Sequence, residues 1–367
     1  MLSPVLPLLL ASSVAADTAV SRAEAALSAL QTWYNGETGM WNTCGWWNGA
    51  NCMTVLAELA LVDDATWVND TAKGVFANTY AVGPKANPYP DRHNETYYSS
   101  ASKRSVDASL WLDGSYDDDA WWALAWIAAY DVTGIQEYLD TAKGIFESLS
   151  NAWPSKCGNG GIDSDYTHVY VNAVTNELFF SVAAHLANRA SDRKYYIDWA
   201  TKQWKWFNSS GLINENYTIN DGLTNDCKNN GAALWSYNQG IVLGGLAELH
   251  RAAHNASDLP TAKKIAKAAI AALADDNNVI RESCEPDDCD ANATQFKGIF
   301  IRNLKLLHSV APDDAYAKVI NASANSVWNN DRNAANNQLG VVWAGPVGQI
   351  DASTHSSAMD ALVAAIE

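Results

Sequence analysis

The sequence predicts an all-α, single-domain (α/α)6 toroid, a ring closed by six helical hairpins. Three observations carry that prediction. "TAKGVF" at 71–76 returns as "TAKGIF" at 141–146, 70 positions later, the spacing of an array of similar units. Segments with the 3.6-residue apolar period fall into two alternating sets, one amphipathic and one apolar on nearly all sides. The links between them alternate too, short after one set and long after the other.

The amphipathic set lies near 21–34, 65–80, 135–149, 192–207, 260–274 and 314–328, mixed with Lys, Asp and Glu. The second set begins near Asn51, Asp119, Asn176, Asn238, Lys297 and Ser356, with cores such as "AWWALAWIAAY" and "GIVLGGLAEL". Helices apolar all round belong inside. Their landmarks are 68, 57, 62, 59 and 59 positions apart, which predicts one inner and one outer helix per repeat. Links from inner to outer helices, such as "DDAT" and "DVTG", are turns between packed antiparallel neighbours. The six long return links therefore emerge on one face, at the N-terminal ends of the inner helices. "THVYVNAV" alone alternates in the manner of a strand.

That face collects aromatic rings, amides and acids with little positive charge. Converging helix N-termini offer unpaired N–H groups that hold carboxylates and hydroxyls. Trp46, Trp47, Tyr116, Trp121, Trp122, Trp235, Tyr237 and Phe300 lie in or beside the links and are expected to stack on sugar rings. Trp126, Trp199, Trp204 and Trp206 sit within helices and are expected in the core.

"SYDDDAWW" places Asp117, Asp118 and Asp119 at the start of an inner helix. Capping accounts for one or two acids there. Three beside aromatic rings crowd one another, and crowding leaves one carboxyl protonated while its neighbour ionises. Glycoside hydrolysis needs such a pair, about 5–5.5 Å apart for retention and about 6.5–9.5 Å for inversion. Consecutive side chains diverge within a helix, so the pair is expected to straddle the loop-to-helix junction.

"YDDDAWWALAWIAAYDVTG", "TNELFFSVAAHL", "DGLTNDC", "WSYNQGIVLGGLAEL" and "FKGIFIRNL", in that order, resemble glycoside hydrolase family 76, the endo-acting α-1,6-mannanases and their fungal cell-wall relatives. The resemblance implies an (α/α)6 fold and a retaining double displacement, with Asp117 as nucleophile and Asp118 as general acid/base. It implies that Asp221 orients substrate and that Tyr237, Asn238 and Gln239 form subsites. Lys297 and Arg302 would either contact sugar hydroxyls or balance the acids' charge. The expected partner is a polysaccharide, α-1,6-mannan or a mannoprotein glycan, bound by a monomer. Alternatives are a wall transglycosidase using the same covalent intermediate and a non-catalytic mannan-binding protein.

The first residues, with an apolar stretch and the small-x-small Val14-Ala15-Ala16, read as a signal peptide over 1–16, leaving 17–367 as the catalytic domain. Seven Asn-x-Ser/Thr sequons, at Asn69, Asn94, Asn208, Asn216, Asn255, Asn292 and Asn321, and six cysteines suit a secreted, glycosylated, disulfide-bonded protein. Cys284 with Cys289 and Cys44 with Cys52 are the expected local bridges. A formal charge of −17 excludes a nucleic-acid partner, no membrane-spanning run follows the signal, and no lipid-anchor tail is visible. No cofactor or metal is expected. His250 and His254 end a helix, and "DDCDANAT" from Asp287 lacks the glycine and final acid of a calcium loop.

Overall fold

The computed structural model describes residues 18–92 and 106–366. The signal segment and the Asn94 sequon lie outside the described residues. Among the described residues twelve α-helices follow in order: α1 Ala19–Leu30, α2 Trp46–Val62, α3 Thr66–Val82, α4 Tyr116–Thr133, α5 Gln136–Asn151, α6 Ala173–Ala187, α7 Arg193–Ser209, α8 Ser236–Ala253, α9 Leu259–Leu273, α10 Phe296–Val310, α11 Asp314–Asn330 and α12 Ala352–Ala364.

The even-numbered helices form the inner ring. α2 packs on α4, α4 on α6, α6 on α8, α8 on α10 and α10 on α12, and α12 closes the circle against α2. This is the (α/α)6 toroid. Closure explains the composition, because each inner helix has two inner neighbours and an outer one; in α12 all 13 residues are buried. Small residues allow the closest approach. A Cβ on Gly298 of α10 would lie 2.5 Å from the Ser357 carbonyl oxygen of α12, a contact only glycine permits.

Helix ends follow local chemistry. Thr18 and Ser21 exchange bonds in a capping box at α1, Asp351 does the same with Thr354 at α12, and Asn172 accepts from the Thr175 N–H at α6. Gly134 ends α4 in the left-handed region, at φ +68°. The inner helices begin up to five residues earlier than the apolar pattern indicates, since Trp46 and Trp47 already belong to α2 behind its Gly45 cap. "THVYVNAV" supplies Val171–Asn172, paired antiparallel with Gly222–Leu223, which ties the α5–α6 link to the α7–α8 link.

Cys284 bonds Cys289 as expected, and Cys157 bonds Cys227 across 70 positions. The Cys44–Cys52 bridge is not formed: both are free thiols. Each thiol instead lies against a backbone carbonyl, Cys44 against Trp41 at 3.3 Å and Cys52 against Ala352 at 3.8 Å. No described helix is long and apolar enough to cross a membrane.

Candidate active site

A cleft of about 410 Å³ opens at the face where the inner helices begin. Asp117 and Asp118 line it, between two aromatic walls. On one side Trp47 stacks on Trp121 with centroids 5.7 Å apart. On the other Tyr237 lies flat on Phe296, 3.8 Å apart and 5° from parallel, with Trp235 edge-on to Phe296. Asp290 and Asn292 complete the rim, and the Trp47 Nε1–H donates to Asn292 Oδ1 at 3.0 Å.

The three consecutive acids divide their work. α4 begins at Tyr116, so the pair sits inside the first helical turn and does not straddle the junction. Successive positions are rotated by about 100°. That rotation leaves Asp117 and Asp118 half-buried toward the cleft and turns Asp119 fully inward, where its Oδ1 accepts from the Asp113 N–H at 2.9 Å. Asp113, also buried, accepts from the Ser115 N–H at 2.9 Å and is hydrogen-bonded through its side chain to Asp118. Asp119 therefore fixes the backbone of Asp113, and Asp113 holds Asp118.

Burial sets the proton affinities. It pushes Asp117 up to about 6, with the charge of Asp113 adding to it, against the N–H groups of the helix start. Asp118 is pushed well above the carboxylate range, first by burial and then by Asp117, Asp113 and Asp119, and its hydrogen bond to Asp113 raises it again. Among the described residues no lysine or arginine pairs with either acid. The pair is coupled, with Asp118 the stronger proton holder. A proton donor beside an ionisable carboxylate, in an aromatic cleft, is equipped for acid-assisted displacement at a sugar.

Other expected site residues are placed differently. Trp46 and Trp122 turn into the core, where they pack together at 4.7 Å and against Trp111. Tyr116 is buried beneath the acids. Asp221 stands beside the cleft and accepts from the Tyr170 hydroxyl at 2.5 Å. Asn238 is buried in α8, while Gln239 spends its amide on Ile219 and Trp235, fastening the loop that carries Trp235. Lys297 leaves the cleft altogether: it is 1% exposed, paired with Glu285 at 2.5 Å, bonded to the Val341 carbonyl and seated over the Trp343 ring. Its neighbour Arg302 pairs with Asp360 and bonds Asn51. Charge balance, not sugar contact, explains both cations.

Trp235 lines the cleft as expected, whereas Phe300 is fully buried in α10. Asp113, Phe296, Asp290 and Asn292 were not among the expected site residues. Asp113 had a signal, lying in the long link "DGSYDDDAWW". Asn292 carried one of another kind, its sequon.

A second cavity, of about 240 Å³, opens at the opposite end of the ring. There Arg189 holds Asp131 with Nε and Nη2, at 2.7–2.9 Å, and Glu248 with Nη1, at 2.7 Å. Arg251 holds the other oxygen of Glu248 at 2.5 Å. Burial raises Glu248, but His185, when charged, and the two guanidinium groups pull it down to about 2. Trp121, 3% exposed, borders both cavities.

The family model for glycosyl hydrolase family 76 matches residues 18–367. The chain belongs to glycoside hydrolase family 76. It is 25% identical over 310 residues to mannan endo-1,6-alpha-mannosidase DFG5 of Candida albicans, covering 79% of this chain and 65% of that one. It is 30% identical over 216 residues to mannan endo-1,6-alpha-mannosidase DCW1 of Saccharomyces cerevisiae, covering 54% and 47%. The matches thus span about half to two thirds of the curated relatives' lengths. Family 76 structures share the fold. The α-1,6-mannanase GH76A of Salegentibacter sp. HEL1_6, in a variant inactivated by changing two adjacent aspartates to asparagine and bound to α-1,6-mannotriose, superposes with a TM-score of 0.76 at 20% identity, covering 95% of this chain and 99% of that one. Dfg5 of Chaetomium thermophilum, in complex with glucosamine, gives 0.76 at 18% identity, covering 96% and 92%.

Proposed function

We propose that this family 76 member is a secreted, monomeric endo-α-1,6-mannanase that cleaves α-1,6-mannan with retention. One observation carries the reading: two adjacent carboxylates of unequal proton affinity face one aromatic cleft, and among the described residues no lysine or arginine pairs with either. The named relatives are mannan endo-1,6-alpha-mannosidases, and the Salegentibacter mannanase depends on an adjacent aspartate pair, which supports the same choice of substrate and acids. Two disulfides and the expected signal segment support export.

In the first step an oxygen of ionised Asp117 attacks the anomeric carbon. The glycosidic C–O bond breaks, and the Asp118 proton passes to the departing oxygen, leaving a glycosyl ester on Asp117. In the second, Asp118, now a carboxylate, takes a proton from water as the water oxygen displaces Asp117 from the same carbon. Asp113 acts through Asp118 as a positioning residue. Trp47 and Trp121 on one wall, and Tyr237 with Phe296 on the other, stack the flanking sugars, while Asp221 orients a hydroxyl from the side.

Linear α-1,6-mannan followed by proton NMR tests the proposal. The first-formed reducing end is expected in the α configuration; a β first product overturns the double displacement, and an intact polymer overturns the substrate.

A further inference from the structure

The triplet Asn292-Ala293-Thr294 is an N-glycosylation acceptor, and its asparagine lines the same cleft as Asp117 and Asp118. The described sequons at Asn208 on α7, Asn255 beyond α8 and Asn321 on α11 present their asparagines on the outside of the ring. We infer that Asn292 is an inhibitory modification site: a glycan attached there closes the cleft, whereas the unmodified side chain is part of its wall. The inference rests on the cleft being the sugar-binding site proposed above.

Three features fix the outcome of modification. Asn292 Oδ1 accepts from Trp47 Nε1, which leaves the amide nitrogen, the atom that carries a glycan, without a hydrogen bond among the described residues. The segment cannot swing the sugar aside. Asp290 Oδ1 accepts from the N–H groups of Asn292 and Ala293, at 2.9 and 2.8 Å, and the Cys284–Cys289 bridge closes the loop just before them. Thr294 is 1% exposed, and its hydroxyl bonds the Ala291 carbonyl and Ser353. A cleft of about 410 Å³ is of the size one bound ligand fills, so an attached oligosaccharide and a substrate chain exclude each other. With Thr294 packed, attachment must precede folding of this segment, so the closed fraction is set during synthesis.

The test places a bulky group at the position directly. Asn292→Cys is alkylated with a disaccharide maleimide, with Asn255→Cys and the wild type treated alike to control for the native thiols. Alkylated Asn292→Cys is expected to cleave mannan about 100-fold more slowly than the same variant unalkylated, and alkylated Asn255→Cys to match its unalkylated form. Cleavage surviving alkylation at 292 overturns the inference. If no form, wild type included, cleaves mannan, the proposed substrate fails, and closure is read without turnover by mapping N-bromosuccinimide oxidation of Trp47 by peptide mass spectrometry. Alkylation at 292 must then protect Trp47, and unchanged oxidation overturns the inference. Glycopeptide mapping of protein from a glycosylating host gives the natural counterpart: Asn292 fully occupied in protein that cleaves at the unglycosylated rate also overturns it.

Discussion

At the mouth where the inner helices begin, Asp117 and Asp118 face a cleft with no lysine or arginine among the described residues paired to them; at the mouth where those helices end, Asp131 and Glu248 are gripped by Arg189 and Arg251. Both mouths carry acids, yet burial raises Asp117 to about 6 while Glu248 is held at about 2. The difference lies in where cations are allowed. Helix C-termini present carbonyl oxygens and welcome guanidinium groups, as Arg189 shows by bonding the His185 carbonyl at 2.9 Å. Helix N-termini supply their own positive end, so acids there persist without a cation beside them, while burial, working against that positive end, leaves them a proton that can be transferred. One end is built to be used, the other to hold the ring.

Breaking the uncompensated end has the largest expected effect. Asp117→Asn and Asp118→Asn should each lower mannan cleavage, read as reducing-end release, by about 10²–10⁴-fold, with a thermal midpoint no lower than wild type because crowding is relieved. Breaking the compensated end should do the converse. Arg189→Met leaves Asp131 without its partner and Glu248 with one of two, and should cost about 3 kcal/mol in urea unfolding while kcat of the folded protein is unchanged.

The cleft walls come next. Trp47→Ala should raise KM about tenfold at most, the equivalent of about 0.5–1.5 kcal/mol of stacking, whereas Trp46→Ala, one position away, should act on the unfolding midpoint. pH separates the two ends by sign. Asp117 must be ionised to attack, so kcat/KM should fall as pH drops below about 6. For stability, Asp117 binds its proton more tightly folded than unfolded, so its contribution is greatest below its ordinary value of 3.8 and is lost as pH rises through about 6. Glu248 runs the other way: its contribution is complete above 4.5 and is lost as pH falls toward 2. The smallest effect is expected from Asp113→Asn, which removes one charge that raises Asp117 and should move the acid limb of the kcat/KM profile to lower pH.

The ring was legible because helices apolar on all sides have no other place to go, and the six landmarks repeat. The acid run was legible for a related reason, since the pattern put it at the start of an inner helix. Facing was not. Trp46 and Trp47, or Trp121 and Trp122, differ by one helical step of about 100°, which sends one ring to the core and the other to the cleft, and link composition does not fix that phase. Lys297 misled because its partner, Glu285, lies 12 positions earlier in a loop whose path no periodicity reports. Cys157 and Cys227, 70 positions apart, were hidden in the same way.

Trp121, 3% exposed, stands between the two cavities and borders both. For the mannan of the proposed function, that indole stands where a chain drawn through, like thread through a bead, would have to pass. A chain laid across the opening from the side, and lifted off again, would offer internal linkages as readily as terminal ones, which is the expectation for the proposed endo-acting cut.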